Sequence, residues 1–171
     1  VNVSCLSGSP HVGTHADAPL HVRDGAPASE WLPTEAFRGE AFVVDVRGRT
    51  GAIEVEQLAL PPGPIPRLLL QTGATIATGT FPDHWPSLST RCIGALAERG
   101  LQLLGVDCPS VDDRESKSLE NHHALFGAGA CVLENLDLRG VPAGPGELLA
   151  LPMRLRGLDA APVRALFRPR A

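Results

Sequence analysis

The feature that most limits how this chain can fold is a succession of short apolar runs, each closed by a turn-prone segment. "AFVVDV", "RLLLQT" and "LQLLGVD" are β-branched or leucine-rich and short enough for strands, and "RLLLQT" reads as a buried one. Ahead of and between them stand loops with Pro and Gly punctuation: "VRDGAPASEWLPTEAF", the breaker cluster "PPGPIP", and the Gly- and Thr-rich "TGATIATGTFPDHWPSLS". "IEVEQLAL" predicts a short helix, and "TRCIGALAERG" predicts a second one, capped by Ser89 and stopped by Gly100. Further on, "SLENHHALFGAG" predicts a short helix stopped by glycine, and "ACVLENLDL" a strand. A last strand, "GELLALPMRL", follows the turn "VPAGPG". Strand, loop, helix, strand is the rhythm of an α/β domain. Many short strands and few helices favour a compact α/β fold, with a mixed or barrel-like sheet, over an open doubly wound one. With no internal repeat and no linker, residues 1–171 are expected to form one domain. The opening "VNVSCL" reads as the middle of a strand without an initiator Met, so an upstream segment is expected to be missing.

Charge and cysteine usage exclude several classes of function. The 15 Lys+Arg and 19 Asp+Glu give a net charge of −4, with no basic run to follow a phosphate backbone, so no nucleic-acid partner is expected. No apolar stretch approaches the ~20 residues that span a bilayer, and no signal peptide opens the chain. A cytoplasmic protein with no membrane partner is the expectation. Cys5, Cys92, Cys108 and Cys131 lie far apart in apolar segments without a C-x-x-C pair, which predicts buried, reduced thiols.

Against that background, "SPHVGTHADAPLH" stands out: Ser9 to His21 holds three of the chain's six histidines together with an aspartate. A neutral imidazole offers one nitrogen to a divalent metal, and a carboxylate can offer one oxygen to each of two. His11, His15 and Asp17 form such a donor set. H-x-x-x-H would place the histidines one turn apart on a helix, but Gly13 and Pro19 oppose a regular helix, and a tight turn or strand-edge loop would converge them equally well. Far along the chain, Glu134 interrupts the apolar "CVLENL", where a buried carboxylate is costly unless a cation pairs with it. Adjacent His122 and His123 point in different directions on any regular element, so both are not expected on one ion.

The pattern H-x-G-T-H-x-D-A-P-x-H, present in full from His11 to His21, resembles the signature of the cyclase-like metal-dependent hydrolases. The likeness extends through "LLLQTG", "LGVDCPSVDDRESKSLENHHALF", "CVLENLDL" and "LLALPMRLRGLDAAPVRALFR", where it is greatest to the kynurenine formamidase branch. The resemblance implies a swivelling β/β/α domain, usually preceded by an N-terminal segment, and a homodimer. It also implies two Zn²⁺ per chain on His11, His15, Asp17, His122 and Glu134, with Asp17 and Glu134 bridging the ions and His21 moving protons. Manganese or iron would accept the same ligands.

The implied reaction is hydrolysis of N-formyl-L-kynurenine to L-kynurenine and formate, within tryptophan degradation. Two close divalent ions activate a water and polarise a carbonyl without a protein nucleophile, and no G-x-S-x-G elbow offers a serine alternative. Trp31, Phe81 and Trp85, in two of the loops, are the candidate aromatic contacts for the formamide substrate. Asp107, Ser116 and Lys117 are expected to organise loops, and His84 to be a plain loop residue. A cyclic amide such as isatin is the alternative substrate, and a non-catalytic metal-binding protein the alternative class.

Overall fold

The computed structural model describes residues 1–170. Its strands and helices follow in the order β1 (His15–Asp17), β2 (Arg38–Asp45), β3 (Ala52–Ile53), β4 (Arg67–Gln71), β5 (Ser87–Leu88), α1 (Thr90–Glu98), β6 (Leu103–Val106), α2 (Glu120–Gly127), β7 (Cys131–Glu134), β8 (Gly144–Leu149), β9 (Ala160–Pro162) and β10 (Leu166–Pro169). Eight strands form one mixed sheet in the order β10-β8-β2-β4-β6-β7-β1-β9. The centre, β2-β4-β6-β7, is parallel, and both flanks are antiparallel. With two α-helices among the described residues and a half-barrel sheet, the fold is the compact mixed α/β domain that the run lengths predict. No described helix is long and apolar enough to cross a membrane.

The middle residues of the central strands are apolar because both of their faces are buried there. Val44, Leu68, Leu70, Leu104, Val106 and Val132 pack with Cys92, Ile93 and Leu96 of α1 and Leu125 of α2. Val43, Leu69, Leu103 and Leu133 point the other way, onto Phe37, Leu136, Leu138 and Leu148. Gly105 sits where this second layer closes in: a Cβ there would stand 2.6 Å from Leu69 Cδ2 and 2.8 Å from Leu136 Cδ1. Helix α1 begins as predicted, with the Ser89 hydroxyl accepting from Cys92 N.

Three expectations are corrected. "VNVSCL" is not a strand; Val1, Val3 and Leu6 are exposed, having no neighbouring strand to pair with. Cys5 accordingly is exposed, while the other three cysteines are buried. "IEVEQLAL" yields a single 3-10 turn, Val55–Gln57, closed by a reciprocal capping box between Glu54 and Gln57.

Candidate metal centre

The motif turns out to use strand spacing. His15 and Asp17 are two residues apart on β1, so their side chains share one face, while Ala16 faces the second core layer. β1 lies between β7 and β9, and its register sets His15 directly opposite Glu134. Ahead of it, Gly13 takes φ +67° and its carbonyl accepts from His15 Nδ1 at 2.8 Å. This turn brings His11 back over the strand. His21 closes a 3-10 turn begun by Pro19. From the other side, α2 buries His122 and leaves His123 exposed. Leu119 (φ 50°), just ahead of α2, and Asn135 (φ 56°), just after Glu134, are the non-glycine residues held in the left-handed region. Thr14 Oγ1 donates to the Asn135 carbonyl at 2.7 Å, tying the motif turn to the end of β7.

These elements converge His11, His15, Asp17, His21, His122 and Glu134. The buried carboxylates split their oxygens between imidazoles. Asp17 Oδ1 faces His11 Nδ1 at 3.1 Å and His15 Nε2 at 3.3 Å, and its Oδ2 faces His122 Nε2 at 3.1 Å. Glu134 Oε2 faces His15 Nε2, and its Oε1 faces His122 Nε2, each at 3.4 Å. Oε1 also accepts from Val111 N at 2.8 Å. Two donor groupings, His15–Asp17–Glu134 and His11–Asp17–His21, have ligand atoms within 4.8 Å of one another. His21, expected only as a proton carrier, is thus also within ligand reach of His11 and Asp17.

The hydrogen bonds behind the imidazoles set up an electrostatic conflict. His15 Nδ1 gives its proton to a carbonyl, and His122 Nδ1 gives its own to Asp112 Oδ2 at 2.6 Å. In the neutral rings, each Nε2 would then aim a lone pair at two carboxylate oxygens. Either an extra proton or a cation resolves this. With protons, burial opposes the charge, but the facing Asp17 and Glu134 carboxylates outweigh it and lift His15 to about 10. For His122 the same opposition is overcome by Asp112, Asp17 and Glu134, raising it to about 11. Asp17 resists ionisation through burial, yet His11, His122 and His15 hold it well below the usual carboxylate range. Even so, His15 Nε2 and Asp17 Oδ1 are buried without any hydrogen bond. Two orphaned atoms that both present lone pairs, facing a second buried carboxylate, suit a divalent cation, and the His/Asp/Glu set has the chemistry to bind one.

Two carboxylates escape the sequence reading. Asp112 orients His122, and it accepts from Asn121 N and His122 N as well. Asp159 lies on the rim, its Oδ2 at 3.0 Å from His11 Nε2 and 3.3 Å from His21 Nδ1. Neither is near a histidine in the sequence, so only topology brings them in. Asp107 organises a loop as expected, accepting from Thr72 N at 2.8 Å and Gly73 N at 3.0 Å. Ser116 accepts from Leu119 N at 3.0 Å, just ahead of α2. The aromatic candidates separate. Trp31, 72% exposed, lines a cavity of about 170 Å³ with Pro19, Pro27 and Phe126. Trp85 is a core residue whose indole N–H donates to the Asp112 carbonyl at 2.7 Å, and exposed Phe81 packs edge-on against it. A groove of about 720 Å³ runs over β2, β8 and β10 at the opposite end of the sheet from the donor cluster.

The fold is that of solved metal-dependent hydrolases with which the chain aligns, and the donor cluster lies within it. One solved structure, described as a potential metal-dependent hydrolase with cyclase activity, superposes with a TM-score of 0.83 at 28% identity, over 96% of this chain and 82% of that one. Isatin hydrolase A from Labrenzia aggregata gives 0.74 at 25% identity, over 94% and 74%. The family model described as "Putative cyclase" matches residues 4–113, and the chain belongs to this cyclase family. Its curated relatives include the kynurenine formamidases of Salinibacter ruber and Bordetella petrii, each 42% identical over 98% of this chain, covering 80% and 81% of those proteins.

Proposed function

We propose that this chain is an arylformamidase that hydrolyses N-formyl-L-kynurenine to L-kynurenine and formate, a step of tryptophan degradation, with two divalent ions, zinc by preference. The observation that carries the two-ion reading is the division of labour in Asp17 and Glu134: each turns one oxygen to His15 and the other to His122. His11, His15, Asp17, His122 and Glu134 would hold the ions. The formamide reading is supported by 42% identity to kynurenine formamidases across nearly the whole chain. Bound ions would supply a water of lowered pKa and a Lewis acid for the formyl carbonyl.

The chain's own residues supply the rest. Asp112 and Gly13 hold the His122 and His15 rings so that each presents Nε2 to the carboxylates. His21, half-buried on the rim with its ring 4.5 Å from that of His11 and 5.4 Å from that of His122, is the group in reach to protonate the departing anilide nitrogen. Phe126, 5.9 Å from the His122 ring, offers apolar surface there and shares a cavity with Trp31 and Pro19. The test is zinc-loaded protein given N-formyl-L-kynurenine and isatin in parallel. Kynurenine release with the larger kcat/KM is expected; faster ring opening of isatin, or no formamide cleavage, removes this substrate assignment.

A further inference from the structure

The carboxylate of Asp159 belongs to neither buried pair, yet its Oδ2 alone meets both rim imidazoles, at His11 Nε2 and His21 Nδ1. A carboxylate beside arginine or lysine would need no special reading. Here its hydrogen-bonded partners are two histidines with different tasks. We propose that Asp159 is a positioning residue that sets the tautomers of both, holding His11 with its proton on Nε2 and His21 with its proton on Nδ1. An ionised carboxylate only accepts, so each nitrogen facing it must carry hydrogen. His11 is then left with its lone pair on Nδ1, the atom facing Asp17 Oδ1 at 3.1 Å, where a metal ligand is needed. His21 is left with Nε2 free to take and return the proton.

One residue therefore couples ligand and proton carrier, and its place in the fold explains how. Asp159 directly precedes β9, whose Ala160 pairs with Asp17, and its backbone carbonyl accepts from Ala18 N at 2.8 Å. That backbone anchor does not involve the side chain. Removing the carboxylate thus leaves the strand pairing in place, and the side chain itself is partly exposed.

This inference rests on the proposed roles of His11 and His21, and its test reads them without substrate. The full chain is loaded with zinc, and ¹⁵N–¹H imidazole correlation spectra and zinc affinity by chelator competition are compared for the parent, Asp159→Ala and Asp159→Asn. In the parent, His11 should be protonated on Nε2 and His21 on Nδ1. Asp159→Ala should release His21 to a mixture of tautomers, weaken one zinc by about 10- to 100-fold, and lower kcat by about 10-fold or more with little change in KM. Asp159→Asn keeps an acceptor oxygen and should fall between, which also covers the case in which the alanine variant folds poorly. A His21 tautomer unchanged in both variants, or zinc affinity equal to the parent's, overturns the proposal. If the parent binds zinc but spares formamides, the substrate reading fails while the spectra still judge Asp159.

Discussion

The centre has two halves built on opposite terms. His15, Asp17, His122 and Glu134 are almost sealed from solvent, whereas His11, His21 and Asp159 are partly open on the rim. The buried half comes from strand faces and an inward helix face, so its geometry is fixed by the sheet register. The rim half comes from a turn, a 3-10 turn and the residue before a strand. The difference teaches which property each half can supply: in a buried set an unpaired charge is intolerable, so those groups are suited to hold a cation, with His11 reaching in from the rim, while His21 on the rim can exchange protons with water and substrate.

The sharpest way to break this comparison is to remove a buried carboxylate. Asp17→Ala strips the oxygens that face His11, His15 and His122, and Glu134→Ala does the same for His15 and His122. Each should empty the centre to below one tightly held ion per chain, more completely than His122→Ala, and cost about 3–5 kcal/mol where buried charge is left unpaired. Elemental analysis and thermal unfolding provide the check. Normal metal content in Glu134→Ala would end the claim that the buried half is the holding half.

A rim change should read differently. His21→Ala is expected to keep its metal and lose about 10²–10⁴ in turnover. If metal and turnover fall together, His21 is a ligand, as its place in the His11–Asp17–His21 grouping also permits, and the two halves merge.

The smallest effect lies in the pH dependence of the metal-free chain. His15 and His122 have folded pKa values raised from 6.5 to about 10 and about 11. Their contribution to stability is full below about 6.5 and is lost as pH rises toward those values. Asp17 acts in the opposite sense: its contribution is present above its ordinary 3.8 and lost as pH falls through its depressed value. Zinc must displace both imidazole protons, so loading at pH 8 should release about two protons per chain, measured calorimetrically in buffers of different ionisation heat. Release of fewer than one would show that the buried imidazoles were already neutral.

How much of this was legible beforehand follows the same division. β2, β4 and β6 declare themselves through the apolar runs "AFVV", "LLL" and "LLGV", which show both faces buried, and α1 does through Ser89 and its apolar stripe. β1 does not: "HAD" buries two polar side chains, so it reads as a loop although it is the strand on which the site is built. β9 and β10, "AAP" and "LFRP", are short and lie at or beside a sheet edge, with too few β-branched residues to mark them. The ligand candidates were readable because unlike residues crowd into one motif or interrupt an apolar run. Asp112 and Asp159 were not, since an aspartate before a helix or a strand is an ordinary turn residue until tertiary contacts give it an imidazole.

The placement of β1 between β7 and β9 has a consequence on the timescale of synthesis. His11, His15 and Asp17 are translated 117 residues or more ahead of Glu134. At about 5–20 residues per second, that is roughly 6–23 s during which the nascent chain carries the motif's donors and lacks the carboxylate that completes the set. Any ion met in that interval sees a flexible chelate that distinguishes poorly among divalent metals. Selection of any ion the chain holds would thus fall to the finished sheet, because the histidine motif by itself presents only an open, unselective chelate.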